Sequence, residues 1–320
     1  MAWPSRPLKI EVGYPPGGNA DGLAHVLAHQ LGRSLHAEVV VIENRPASAG
    51  TLATSFVARA PADGYTLLIA ATAAVTIAPL LDPGLSYSTE RNLCPLALVA
   101  ETPYVLIVPS ESQIATLEEL IVAARRQPGA LSYASLGMGS IAHAIGVLFS
   151  HALRLEITEV GYRNSATAVK DLLGGHVSMM FGSMQATLPA ILAGQLRALA
   201  VSSAQRAPAL PGIPTLAERG LADLTFTSWY GLFTPCGLPR DVEGRLIAAA
   251  REAIAHPDIA AVLGMDESTQ PAMVGEDFGR FLQAERARWI GAIPLLLADH
   301  ENTSQSFSSP WMNEGSRSSQ

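Results

Sequence analysis

Apolar positions along this chain recur in two rhythms. Over 19–34, Leu23, Val26, Leu27 and Leu31 return every three or four residues, which predicts a helix with one buried face. Short unbroken apolar runs, such as 65–70, predict strands covered on both sides. Read this way, the first third of the chain gives strands at 8–12, 38–42, 65–70 and 93–99. Helices fall at 19–34 and 51–60, the second stopped by Pro61. A second series has strands at 104–108, 131–134, 156–160, 178–181 and 197–201. Its helices are 117–126, 140–153, 166–173 and 185–193, and Gly174-Gly175 reads as a left-handed cap on the third. After the Pro-rich stretch 207–214, a long strand at 224–233 leads into helices at 241–255, 258–263 and 276–297, the last interrupted at Pro294. Strand alternating with helix predicts an α/β fold with largely parallel sheets.

The two series predict two similar lobes, with crossovers at 101–103 and 223–229. Lobe one takes 1–102 plus 225–298 and lobe two takes 103–224, leaving a ligand cleft between them. From 299 the chain is Ser-rich without apolar period, so 299–320 is expected to be a disordered tail. The uncharged stretch 64–81 approaches the length of a membrane span, but its threonines, alanines and Pro79 favour strand, loop and short helix. The N-terminal residues hold no basic region followed by an apolar core, as a signal peptide would. The chain is therefore read as cytosolic, or as having lost a signal.

Composition narrows the function classes. Of 320 residues, 48% are apolar and 15% charged, which is globular rather than disordered. A net charge of −7 without a basic cluster excludes nucleic acid as an expected partner. Cys94 and Cys236 stand far apart, without metal-ligand spacing. Two separate buried thiols are expected, with a disulfide open to them in an oxidising compartment.

Three strand-to-helix loops are rich in glycine and serine: 12–21 with Pro15-Pro16-Gly17-Gly18, 134–140 with Gly137-Met138-Gly139-Ser140, and 161–165. Such helix starts present unpaired N–H groups and a partial positive charge, a combination that holds anions. Arg163 is the only cation in the three loops. The bland reading of each is a tight turn with a capped helix. Gly137–Ala142 also matches Gly-x-Gly-x-x-Ala with Glu156 and Glu159 beyond it, so a nicotinamide dinucleotide enzyme is the competing reading. Asp21, His25 and His29 share one helix face, but solvated or packed histidines are the stronger expectation, and no metal is expected. Ser135 and Ser140 lack a Gly-x-Ser-x-Gly elbow and read as hydroxyl donors, not nucleophiles.

These residues resemble a known family in order. Tyr14–Asp21, Glu43-Asn44-Arg45-Pro46, 57–68, 133–140, 171–175 and 228–233 are similar to blocks of the Bug-type receptors, the periplasmic substrate-binding proteins of tripartite tricarboxylate transporters. The likeness covers roughly residues 3 to 290. It implies a two-lobed periplasmic-binding-protein fold of type II that closes on a small carboxylate, held by loop amides and bridging waters. It further implies a non-enzymatic, cofactor-free receptor that docks on membrane permease subunits, with a signal peptide already removed. The ligand residues expected on it are Tyr14, Gly17, Gly18, Asp21, Thr72, Ala73, Ser135, Gly139, Ser140, His143, Tyr162 and Gly182. Two positions depart from the family. Ala47-Ser48-Ala49-Gly50 replaces Gly-Ala-Gly-Gly, which should resist positive φ. Gly182 stands where the family has Asp, which implies a ligand without an amino group. A sensory or scaffolding receptor domain is a third reading.

Overall fold

The computed structural model describes residues 3–262 and 273–306. Strands are β1 (Leu8–Val12), β2 (Val40–Asn44), β3 (Thr66–Ala71), β4 (Leu93–Pro109), β5 (Ser132–Ser135), β6 (Thr158–Gly161), β7 (Met179–Ser183), β8 (Leu196–Val201) and β9 (Thr227–Pro235). Helices are α1 (Asn19–Leu35), α2 (Thr51–Val57), α3 (Ala78–Leu81), α4 (Thr89–Asn92), α5 (Leu117–Arg126), α6 (Ile141–Leu153), α7 (Ser165–Leu173), α8 (Met184–Leu192), α9 (Arg240–Ile254), α10 (Pro257–Val262) and α11 (Glu276–Ser306). The predicted elements are present with ends moved by one to three residues in most cases. No helix among the described residues is long and apolar enough to cross a membrane. The uncharged stretch 64–81 contains β3, a π-helical turn Ala73–Ile77 and α3.

Strand order is β2-β1-β3-β9-β4-β7-β5-β6, with β8 on β4 as well. β1 pairs in parallel with β2 and β3, and β5 in parallel with β6 and β7. β9 is antiparallel to β3 and β4, and β4 is antiparallel to β7 and β8. The sheet is therefore mixed, with each parallel half feeding helices on its faces.

The strands expected at 93–99 and 104–108 are one strand. Glu101-Thr102-Pro103 reads as a break in sequence, yet β4 runs through it and changes partner there. Pro103 still pairs with Thr227 of β9, and Tyr104 already pairs with Ser183 of β7. A proline lacks an N–H and is tolerated where a ladder ends. The apparent break is a change of strand partner, not of direction. Helix α11 likewise continues through Pro294, at the loss of one backbone bond, and reaches Ser306 inside the stretch read as tail. Residues 307–320 and Leu263 of the helix predicted at 258–263 lie outside the described residues.

Cys94 and Cys236 form a disulfide, which corrects the expectation of two separate thiols. The antiparallel register puts Cys94 opposite Thr234, and β9 ends one residue before Cys236. The Cα atoms are then 4.9 Å apart, within bridging range.

One apolar cluster runs from Leu8, Ile10 and Leu27 through Leu96 and Val105 to Ala134 and Met180, spanning both halves of the sheet. A second joins Phe149, Phe181 and Tyr133 to Ile77, Trp289 and Leu296. Helix α11 is thereby shared, packing against α6 and β4 and against the turn after β3.

Candidate functional site

The expected ligand loops all leave the C-terminal ends of parallel strands, where open α/β sheets bind ligands. In the first, β1 ends at Val12 and the chain turns through Gly17 at φ +81° before α1 begins. Nothing crowds a Cβ at Gly17, so its dihedral alone calls for glycine. Its N–H donates to Asp21 Oδ2 at 2.9 Å. Asn44 Nδ2 donates to Asp21 Oδ1 at 2.8 Å and to the Tyr14 carbonyl at 3.1 Å. Burial opposes ionisation of Asp21, but the Gly17 N–H and Asn44 amide outweigh it and His25 adds a coulombic pull, so its pKa lies below the ordinary aspartate value. Asp21 thus braces the loop from within. His25 Nε2 stands 3.7 Å from Asp21 Oδ2, while His29 meets Gln30 instead. No group of three metal-ligating side chains occurs among the described residues.

The loop after β2 presses on the same turn. A Cβ on Gly13 would lie 2.6 Å from Gly50 Cα. Ala49 takes φ +54° and Gly50 φ +97°, and Tyr14 Oη donates to the Ala49 carbonyl at 3.3 Å. The expectation that Ala47–Gly50 resists positive φ is overturned, because close approach of the two backbones imposes the left-handed turn on alanine.

Lobe two repeats the design. Gly137 N–H donates to Ser135 Oγ at 2.8 Å, and the Ser135 hydroxyl donates to Glu159 Oε1. Glu159 Oε2 lies 4.0 Å from Nε2 of His143, which is buried in the first turn of α6. Ser140 Oγ accepts from His143 N–H at 3.2 Å and caps α6. Each loop therefore ties one glycine amide to a side-chain acceptor: the Asp21 carboxylate, with exposed His25 beside it, in the first, and the Ser135 hydroxyl, backed by Glu159 and His143, in the second. Among the described residues, Gly18 and Gly139 N–H meet no acceptor.

The remaining candidates are placed as follows. Tyr162 N–H donates to the Ser135 carbonyl at 2.9 Å, and its phenol donates to Asp171 Oδ2 at 3.0 Å. Thr72 Oγ1 accepts from Trp229 N–H at 3.0 Å, and Ala73 opens the π-helical turn. Gly182 is buried, and a Cβ there would lie 2.3 Å from Thr187 Cγ2, so local packing accounts for the missing side chain. Arg163 is exposed, and Asn164 caps α7 through Thr167 N–H at 2.9 Å.

The two ends face each other. Gln185, in the first turn of α8, donates to Asn19 Oδ1 at the start of α1. A Cβ on Gly139 would lie 3.5 Å from Leu81 Cδ1 of α3. Between them stand Tyr14, Tyr104 and Tyr230, half-buried phenols close enough to influence one another electrostatically. Burial pushes all three phenols up, so they are neutral donors. Asn19 beside Tyr230 and Ser228 beside Tyr104 each temper that rise. The sequence reading missed Asn19, Tyr104, Gln185 and Tyr230. Tyr230 lay in a block already singled out, and Tyr104 lay beside the expected crossover, but Gln185 gave no local signal.

The comparisons place the chain in a family. The family model described as tripartite tricarboxylate transporter family receptor matches residues 23–295. A protein from a tcbD-tcbE intergenic region of Pseudomonas sp. strain P51 is 38% identical, covering 90% of this chain and 85% of that protein. BugT of Bordetella pertussis is 32% identical, covering 91% of this chain and 89% of its own length. The solved structure of Rpa4515 from R. palustris with adipate superposes with a TM-score of 0.78 at 30% identity, over 92% of this chain and 98% of that one. The dinucleotide reading of Gly137–Ala142 gives way, because Glu159 is committed to Ser135 inside the lobe and the matched proteins are receptors, not enzymes. Two lobes, facing amide loops and a match over most of the length agree: the chain belongs to the receptor family of the tripartite tricarboxylate transporters.

Proposed function

We propose that this chain captures a small organic carboxylate between its lobes, with bridging waters, and delivers it to membrane permease subunits. The observation that carries the reading is the pair of opposed glycine turns. Each has one amide tied inward, at Gly17 and Gly137, and another free to donate, at Gly18 and Gly139. Neutral donors complete the set, the hydroxyls of Thr72 and Ser140, which only accept inside the protein, while Tyr14, whose phenol donates to the Ala49 carbonyl, walls the cleft. Asp21, Ser135, His143 and Glu159 shape the loops instead of reaching the ligand. Ala73, Tyr162 and Gly182 stay in the set as lining. Backbone N–H groups can hold an anion with little help from fixed cations, as helix N-termini do. The adipate bound by Rpa4515 supports a carboxylate as the ligand class. The Cys94–Cys236 disulfide supports an oxidising compartment, the periplasm.

Calorimetry against mono-, di- and tricarboxylates, adipate first, tests this directly. At least one carboxylate is expected to bind. Gly139→Val should weaken it at least tenfold, since Gly139 sits at φ +82°, a conformation barred to β-branched residues. Binding of a dinucleotide with no carboxylate binding would overturn the reading.

A further inference from the structure

We propose that Asn19 and Gln185 form an interlobe latch that fixes how far the cleft closes and sets the lifetime of the bound state. The two residues are 166 positions apart and belong to different lobes, yet the Gln185 side-chain amide donates directly to Asn19 Oδ1. Each sits in the first turn of a helix of nine or more residues, anchored in its own lobe. Both side chains are half-buried, so water competes for the bond only in part. Asn19 also stands beside the Tyr230 phenol on β9, close enough to temper the rise in its pKa. That strand pairs with β3 and β4 and adjoins both crossovers, Pro103 opposite Thr227 among them. One carboxamide thus links the lobe-two helix α8 to the hinge strand of lobe one. Opening the lobes must break the Gln185 contact while the Tyr230 contact stays within lobe one.

The chemistry suits a latch that works repeatedly. Two neutral amides exchange one hydrogen bond for water on opening, without the desolvation penalty of an ion pair. The bond is also insensitive to salt. The proposal rests on the receptor reading only for what the closed cleft holds, not for the closure itself.

Pulsed EPR distances between non-cysteine spin labels at exposed Glu38 and Arg126, one per lobe, test it with the disulfide intact. Gln185→Ala and Asn19→Ala should each shift the distribution to longer separations, and the double variant should move no further than either single one. Gln185→Asn, one methylene shorter, should widen it as well and guards against a folding artefact. Adipate should dissociate about three- to tenfold faster from Gln185→Ala, as expected for one neutral hydrogen bond. Coincident distributions for wild type and Gln185→Ala, or shifts that add in the double variant, would overturn the latch. If the variants widen the lobes while wild type binds no carboxylate, the latch stands and the receptor reading fails.

Discussion

Ala49 holds φ at +54° because the turn after β2 packs against Gly13, and an L-residue there is strained by about 1–2 kcal/mol. Ala49→Gly relieves that strain but adds freedom to the unfolded chain, so a net gain of about 0.5–1 kcal/mol is expected in urea unfolding. Asp21 supplies the opposite case. Removing its carboxylate with Asp21→Ala strands the Gly17 N–H and the Asn44 amide, at a cost of about 1–2 kcal/mol at pH 7. Its pKa is lower folded than unfolded, so ionised Asp21 contributes stability that is complete above the unfolded value. That contribution is lost as pH falls through the lowered folded value. The stability gap between wild type and Asp21→Ala should therefore be constant above about pH 5 and close as the pH falls below about 4. At this scale the sequence showed which residues stand in the loops but not which way their polar groups turn. Ser135 and Thr72 read alike as ligand donors, yet Ser135 gives its hydrogen to Glu159 while Thr72, accepting from Trp229, keeps its own. A hydroxyl's partner depends on which strand lies behind it, and that is set by pairing across more than twenty residues.

Elements were legible wherever the signal was local. Helix α5 spans the predicted residues because Thr116 accepts from Glu119 N–H at 3.1 Å to cap it and Gln127 ends it. The Gly174-Gly175 cap was also readable, with Gly175 at φ +72°. Strand β4 was not, because its continuity depends on partners that a linear reading does not see: β9 before Tyr104, β7 and β8 after it. The disulfide was hidden for the same reason. Cys94 and Cys236 are 142 residues apart and meet only through the β4–β9 register. Closing so long a loop restricts the unfolded chain, which predicts a loss of about 3–5 kcal/mol for the double variant Cys94→Ser/Cys236→Ser. Chemical unfolding with and without reductant measures it, and the wild-type midpoint should fall to that of the variant once the bridge is reduced.

At the scale of the molecule, two lobes with similar wiring are tied by more than their crossovers. β4 is continuous through both halves of the sheet, and α11 lies across them. Its buried Glu285 accepts from Trp229 Nε1 at 3.2 Å, while Arg288 pairs with Glu285 and donates to the Thr225 carbonyl at 2.7 Å. Those contacts clamp both ends of the stretch from Thr225 to Trp229, in which β9 begins. Trp289 and Leu296 of the same helix complete the cluster around Phe149 and Phe181. A shared strand, a shared helix and two apolar clusters that bridge the halves couple the lobes, although the cluster around Trp229, Phe233 and Phe278 belongs to lobe one alone, so calorimetry should show one cooperative transition instead of two. Glu285→Ala sharpens the test. It leaves the buried Trp229 Nε1 without its acceptor, at a cost of about 1–3 kcal/mol, with little added for Arg288 because its side chain is 37% exposed. If the lobes are one cooperative unit, the single transition moves to lower temperature intact. If α11 only decorates them, the variant splits the endotherm, with lobe one melting first.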